Sequence, residues 1–88
     1  MAGEARQLLA ANLRALRRAR RMTQEDVAGA AEIDRSYISE IENARFSASI
    51  DLVEKLAEAF GIDFAELFDR TLAARLLEDR TAGRTEMR

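Results

Sequence analysis

Proline is absent from all 88 residues, while apolar side chains recur at spacings of three and four through most of them. A chain without proline meets few obstacles to continuous helix, and that spacing lines apolar groups along one helical face. No stretch alternates apolar and polar residues as a half-buried strand would. The expected fold is therefore all-α. The length suits one small domain, near the lower end of what folds unaided.

Capping residues divide the chain. Leu8, Leu9, Leu13 and Leu16 share the apolar face of a first helix over about residues 4–20. Thr23 fits the N-cap of a second helix, with Asp26 placed to favour its start. That helix spans about 24–31 and buries Val27, Ala28 and Ala31. Asp34 caps a third helix over about 35–43, which buries Ile38 and Ile41. Residues 44–48 read as a loop. Ser49 caps a fourth helix carrying Ile50, Val53, Leu56, Ala57 and Phe60 inward, with Gly61 just past its end. Asp63 caps a fifth helix containing Phe64, Leu67 and Phe68. Leu72, Leu76 and Leu77 either extend that helix or form a sixth, to about residue 79. Residues 1–80 thus read as the domain, with a helical extension from about 69. Residues 81–88, poor in large apolar side chains, read as a flexible tail.

Composition narrows the chemistry. Cysteine and histidine are both absent. No disulfide framework and no thiolate or imidazole metal site is expected, and the Cys nucleophile and His base are missing. The acid pairs Glu25–Asp26 and Glu78–Asp79 are adjacent, so they do not face each other on a helix. The four glycines are scattered and form no phosphate-cradling loop. An enzyme is not expected, nor a cofactor, a metal or a small-molecule ligand. No apolar run approaches the roughly 20 residues that cross a membrane, and no leader opens the chain. The cytoplasm is the expected location.

Net charge is −2, yet residues 14–21 hold five arginines and no acid. The overall pI of about 5.2 argues against a broadly basic nucleic-acid binder. A local basic patch still meets phosphate.

Two short helices joined by a tight break suggest a helix-turn-helix. Residues 22–43, MTQEDVAGAAEIDRSYISEIEN, resemble the DNA-binding motif of the XRE, or lambda-repressor-like, family. Residues 51–68, DLVEKLAEAFGIDFAELF, resemble that family's fourth and fifth helices. Within the family, residues 34–39, DRSYIS, are most similar to the restriction–modification controller proteins. The resemblance implies a compact bundle of five helices, or six, with the helix-turn-helix at about 24–43. It also implies a bacterial transcription regulator that binds double-stranded DNA as a homodimer.

The same resemblance assigns roles. The third helix would lie in the major groove with its N-terminal residues nearest the bases. Arg35, Ser36, Ser39 and Glu40 would then read bases. Arg35 has the planar fork that suits guanine O6 and N7, a contact worth about 1–3 kcal/mol of discrimination. Gln24, Tyr37, Asn43 and Arg45 would contact phosphate, Gln24 from a helix start whose free N–H groups attract anions. Asn43 also fits a plain helix terminator. Arg17 and Glu42 would form a structural ion pair. Leu67, Phe68, Leu72, Leu76 and Leu77 exceed what a five-helix core needs, so they are candidates for the dimer interface. A second reading keeps the fold but makes the chain a protein-interaction module, antitoxin-like or a regulator's partner. The acidic second half favours it; Arg35, Ser36, Tyr37 and Gln24 favour DNA.

Two positions depart from the family pattern. Glu32 stands at a turn position that is commonly glycine, and a left-handed backbone there would cost about 1 kcal/mol. Ala48 stands where the loop commonly carries proline. Phe46, in the same loop, either plugs the core edge or lies at an interface.

Overall fold

A computed structural model describes residues 3–86, with side-chain surroundings through residue 79. Five α-helices follow in order: α1 (Glu4–Ala19), α2 (Gln24–Ala31), α3 (Arg35–Glu42), α4 (Ile50–Phe60) and α5 (Leu72–Glu86). A single 3₁₀ turn, Phe64–Phe68, stands between α4 and α5, and the described residues contain no strand.

The starts of α2, α3 and α4 are set by side-chain caps. Thr23 Oγ1 accepts from the Asp26 amide at 3.0 Å, and Asp26 Oδ2 accepts from the Thr23 amide at 2.8 Å. This reciprocal pair satisfies two N–H groups that the first turn of α2 leaves without helical partners. Asp34 and Ser49 cap α3 and α4 through the amides of Ser36 and Leu52.

Four helix ends share one closing geometry. Arg21, Glu32, Ala44 and Gly61 take the left-handed conformation, with φ of 55°, 57°, 56° and 66°. The amide of the next residue then reaches back across the last turn. Met22 donates to Arg17, Ile33 to Ala28, Arg45 to Glu40 and Ile62 to Ala57, all at 2.9–3.1 Å. Three of those four left-handed positions hold a side chain other than glycine, a local strain that tertiary packing must offset.

The expected fifth helix does not form as an α-helix. Asp63 caps it through the Ala65 amide at 2.8 Å, but Asp69 is extended and stops it after one short turn. Asp69 Oδ1 then accepts from both the amide and the hydroxyl of Thr71 at 2.7 Å, which starts a new segment. The Leu72–Leu77 stretch is accordingly a separate helix. Helical backbone continues to Glu86, through most of the expected tail; Met87 and Arg88 lie outside the described residues.

The core gathers Leu9, Leu13 and Leu16 of α1, Val27 of α2, Ile38 and Ile41 of α3, and Leu56 and Phe60 of α4. The 3₁₀ turn adds Leu67 and α5 adds Leu72. One polar side chain in this interior is Asn12. Its Nδ2 donates to the carbonyls of Leu67 and Asp69 at 2.8 and 2.9 Å, which fixes the 3₁₀ turn and the start of α5 on α1.

Candidate nucleic-acid interface

Helices α2 and α3 pack on each other, joined through Glu32, Ile33 and Asp34. Gln24 opens α2 and Arg35 opens α3, so the turn brings both first residues to one rim. Arg35 Nη1 donates to Gln24 Oε1 at 3.3 Å. Arg35, Ser36, Tyr37 and Glu40 are exposed on the outer side of α3, and Ser39 is half-buried.

Beneath the rim lies a polar cluster centred on Glu42, which is 4% exposed. Arg17 Nε donates to Glu42 Oε2 at 2.6 Å and Arg17 Nη2 to Oε1 at 3.0 Å. Oε1 also accepts from Gln24 Nε2 at 3.2 Å. The backbone carbonyl of Glu42 accepts from Arg14 Nη2. Arg17 Nη1 donates onward to the Met22 carbonyl at 3.1 Å. The cluster ties α1, the start of α2 and the end of α3 together. The Glu42 carboxylate holds the Arg17 guanidinium above its ordinary pKa, with partial burial opposing that shift.

The remaining candidates have local partners. The Ser36 hydroxyl donates to Asp34 Oδ1 at 3.0 Å, beside its own amide on the same oxygen. Those two bonds from Ser36, with the nearby Arg35 charge, hold the Asp34 carboxyl below the usual aspartate range. Asn43 Nδ2 donates to the Ser39 carbonyl at 2.8 Å, so Asn43 terminates α3. Tyr37 stacks on Phe46, with ring centroids 5.3 Å apart and planes at 31°. Phe46 is half-buried against the core, where it plugs the edge beside α3. Arg45 is exposed in the loop that follows.

The arginine run has split environments. Arg20 lies over the Phe60 ring, 5.4 Å from its centroid, a cation–π contact. Arg21 lines an open hollow with Arg17, Thr23, Gln24 and Arg35. Glu25 lines the same hollow, and the Arg17 guanidinium there is already committed to Glu42 and Met22, which leaves Arg21 and Arg35 as its cations.

The five residues expected to form a pairing face lie in different surroundings. Leu67 and Leu72 are core residues of their own chain, at 0% and 4% exposure, because the 3₁₀ turn and α5 close over α1. Leu76 is half-buried against the same core, whereas Phe68 and Leu77 remain exposed. Ile50 also departs from expectation: it is 86% exposed rather than inward. As the first residue of α4 its side chain leans toward the N-terminus, past the edge of the core. Ile50, Phe64 and Phe68 line one open apolar groove with Val53.

Sequence reasoning missed Asn12, Arg14 and this groove. Asn12 carried a signal, as a polar residue on the Leu9–Leu13–Leu16 face. Arg14 carried none, since its partner is a backbone carbonyl 28 residues away.

Known proteins share both sequence and geometry. The HTH-type transcriptional regulator DdrOP3 of Deinococcus deserti is 35% identical over 75 residues, which are 85% of this chain and 56% of that protein. The control protein C.BamHI of Bacillus amyloliquefaciens is 38% identical over 50 residues, 57% of this chain and 62% of that one. The chain thus spans little more than half the length of these curated relatives. The crystal structure of the hypothetical transcription factor NHTF from Neisseria matches with a TM-score of 0.73 at 32% identity, covering 75% of this chain and 76% of that one. Residues 13–67, from the middle of α1 through the 3₁₀ turn, match the family described as HTH_3, helix-turn-helix. With α2, the turn and α3 inside that span, the chain belongs to the HTH_3, XRE-type helix-turn-helix family.

Proposed function

We propose that this chain is a sequence-specific regulator of transcription that binds double-stranded DNA as a homodimer on a pseudopalindromic operator. The observation that carries this reading is the shared rim of α2 and α3. There Arg35 and Gln24 meet at 3.3 Å above a buried ion pair, with Ser36, Ser39 and Glu40 along the same helix. Arg35 supplies a guanine-reading fork and Glu40 an acceptor for cytosine N4. Ser39 reaches a base edge, and Ser36 does so through the lone pairs its bond to Asp34 leaves. Gln24, Arg45 and the α2 N-terminus hold phosphates and set the register. Tyr37 offers its hydroxyl to phosphate from its seat on Phe46, and Asn43 adds what its capping bond leaves free.

One eight-residue recognition helix covers half a site, so useful affinity calls for two copies on half-sites roughly 34 Å apart. The groove of Ile50, Phe64 and Phe68 is the apolar surface offered to the second copy. Occupancy of the operator then blocks or recruits polymerase in the bacterial cytoplasm. Regulation of the chain's own gene is part of the same proposal, as the resemblance of residues 34–39 to the restriction–modification controller proteins implies.

Fluorescence anisotropy tests the reading. Duplex from upstream of the protein's own gene, a scrambled duplex and Arg35→Ala protein are compared at two salt concentrations. Tight binding is expected to the first alone, to fall steeply with salt, and to lose its preference in Arg35→Ala while the fold is kept. Equal, weak binding to every duplex, including those selected from a random pool, would overturn it. It would favour the protein-interaction reading, which pull-down with a partner chain then examines.

A further inference from the structure

Glu42 is 4% exposed, yet it is bonded to Gln24, the residue that in turn bonds Arg35. We infer that Glu42 is a positioning residue for base reading: it sets which way the Gln24 amide points, and through that amide it orients Arg35. The inference rests on Arg35 being a base-reading group, as proposed above.

The chemistry of the three groups leaves one orientation. An ionised carboxylate only accepts hydrogen bonds and a guanidinium only donates them. Gln24 stands between the two. With Nε2 toward Glu42 and Oε1 toward Arg35, both contacts are bonds, at 3.2 and 3.3 Å. The flipped amide would set oxygen against carboxylate and NH₂ against guanidinium, replacing two attractions with two repulsions. A neutral residue at position 42 that both donates and accepts would tolerate either orientation. The charge on Glu42 therefore determines that an acceptor faces Arg35.

Glu42 itself is fixed. Arg17 holds both carboxylate oxygens, Arg14 holds its carbonyl, and the side chain is almost wholly buried. The Gln24 bond engages one N–H of Arg35 Nη1. A guanidinium has four further N–H groups for a two-pronged contact with guanine. Holding an exposed arginine before DNA arrives removes part of the ordering cost of the contact. It also aims the fork, so the benefit appears as discrimination between bases as well as affinity.

This reading separates Gln24 from a residue that only holds phosphate. A phosphate contact weakens all sequences alike, whereas an orienting contact changes the ratio between a cognate operator and one altered at the guanine pair. The test uses the full chain and an operator selected from random duplexes by the wild-type protein. Dissociation constants for the selected duplex and for single-pair variants are measured for wild type, Gln24→Met, Glu42→Gln and the double variant. Gln24→Met is expected to lower discrimination at one pair by about three- to tenfold. Glu42→Gln is expected to lower discrimination at that same pair in the wild-type background and to add nothing once Gln24 is methionine.

A merely structural Glu42 would lower affinity for all duplexes alike, or act equally in both backgrounds, and that result overturns the inference. Gln24→Met retains the Thr23 cap of α2, so it remains informative if circular dichroism finds Glu42→Gln unfolded. Relaxation of the Arg35 ¹⁵Nε resonance in the free protein supplies an arm that needs no DNA. Greater mobility in Gln24→Met is expected; unchanged mobility counts against the relay. Selection of no sequence by the wild type would instead remove the DNA reading, a failure the resonance measurement keeps distinct.

Discussion

The guanidinium of Arg17 closes on both carboxylate oxygens of Glu42, at 2.6 and 3.0 Å, and bridges α1 to the end of α3 across 25 residues of sequence. Glu42 is nearly inaccessible, while Arg17 keeps a narrow solvent edge. Removing one partner leaves the other charge desolvated, and such losses run to about 3–5 kcal/mol. Arg17→Met should therefore lower unfolding free energy by about 3 kcal/mol, the low end, because that solvent edge offers water to the new arrangement. The paired change Arg17→Met with Glu42→Leu should recover part of the loss, since no charge is then stranded. Chemical denaturation of the three variants beside wild type measures both outcomes.

Glu32 offers a stabilising change. Its backbone sits at φ 57°, ψ 45°, and its exposed side chain has no bond that the turn depends on. A non-glycine residue there costs about 1–2 kcal/mol relative to an unstrained backbone. Glycine removes that strain but adds about 0.4–1 kcal/mol of unfolded-chain entropy. Glu32→Gly should therefore stabilise the fold by about 0.5–1 kcal/mol, a rise of several degrees in Tm for a domain this size. A calorimetric scan that found Tm unchanged or lowered would contradict this account of the turn.

The unequal legibility of the chain has a physical origin. Helices α1 to α4 were readable because their apolar faces repeat within a few residues, and Thr23, Asp34 and Ser49 cap α2, α3 and α4 locally. The 3₁₀ turn was less so: Phe64, Leu67 and Phe68 have helical spacing, but Asp69 makes a better start for the next segment than a continuation of the last. Ile50 follows the periodicity of α4 and still faces outward, because a helix's first residue can extend beyond the core that the rest covers. The Arg17–Glu42 expectation came from family resemblance alone; no spacing rule joins positions 25 apart. The Gln24–Arg35 bond had no sequence signal at all, since it exists only once α2 and α3 have packed.

Acid should weaken the start of α3 in a specific way. The Asp34 carboxyl titrates below the usual aspartate range, chiefly through the Ser36 amide and then its hydroxyl. Between the folded and unfolded pKa values the unfolded chain binds more protons, so stability rises with pH there. The contribution is present above the ordinary value near 3.8 and is lost as pH falls through the lower folded value. Asp69, lowered by Thr71 and Arg75, acts in the same direction at the start of α5. Asp34→Ser keeps a cap oxygen without the titration. Urea denaturation from pH 7 to pH 3 should give a shallower loss of stability for Asp34→Ser than for wild type. Parallel curves would show that the cap does not titrate as described.

The exposed groove gives the last prediction. Phe64 is 56% exposed and Ile50 86%, and with Phe68 they form a continuous apolar surface. Aromatic residues in such a position carry much of the energy when two proteins pair, often 2 kcal/mol or more for one side chain. Phe64→Glu places a charge in the middle of that surface without disturbing the core beneath, so its effect on stability should stay within about 0.5 kcal/mol. Self-association should weaken by about thirtyfold or more, read by sedimentation equilibrium, and operator affinity should fall with it. Leu77→Glu is the informative companion. Leu77 is also exposed but borders a different hollow, between α1 and α5, with Ala15 and Ala73. If the chain pairs through the groove, Phe64→Glu yields a folded monomer and Leu77→Glu remains a dimer. The opposite pattern would move the contact to α5, because a charge disrupts association only where it is buried by the second copy.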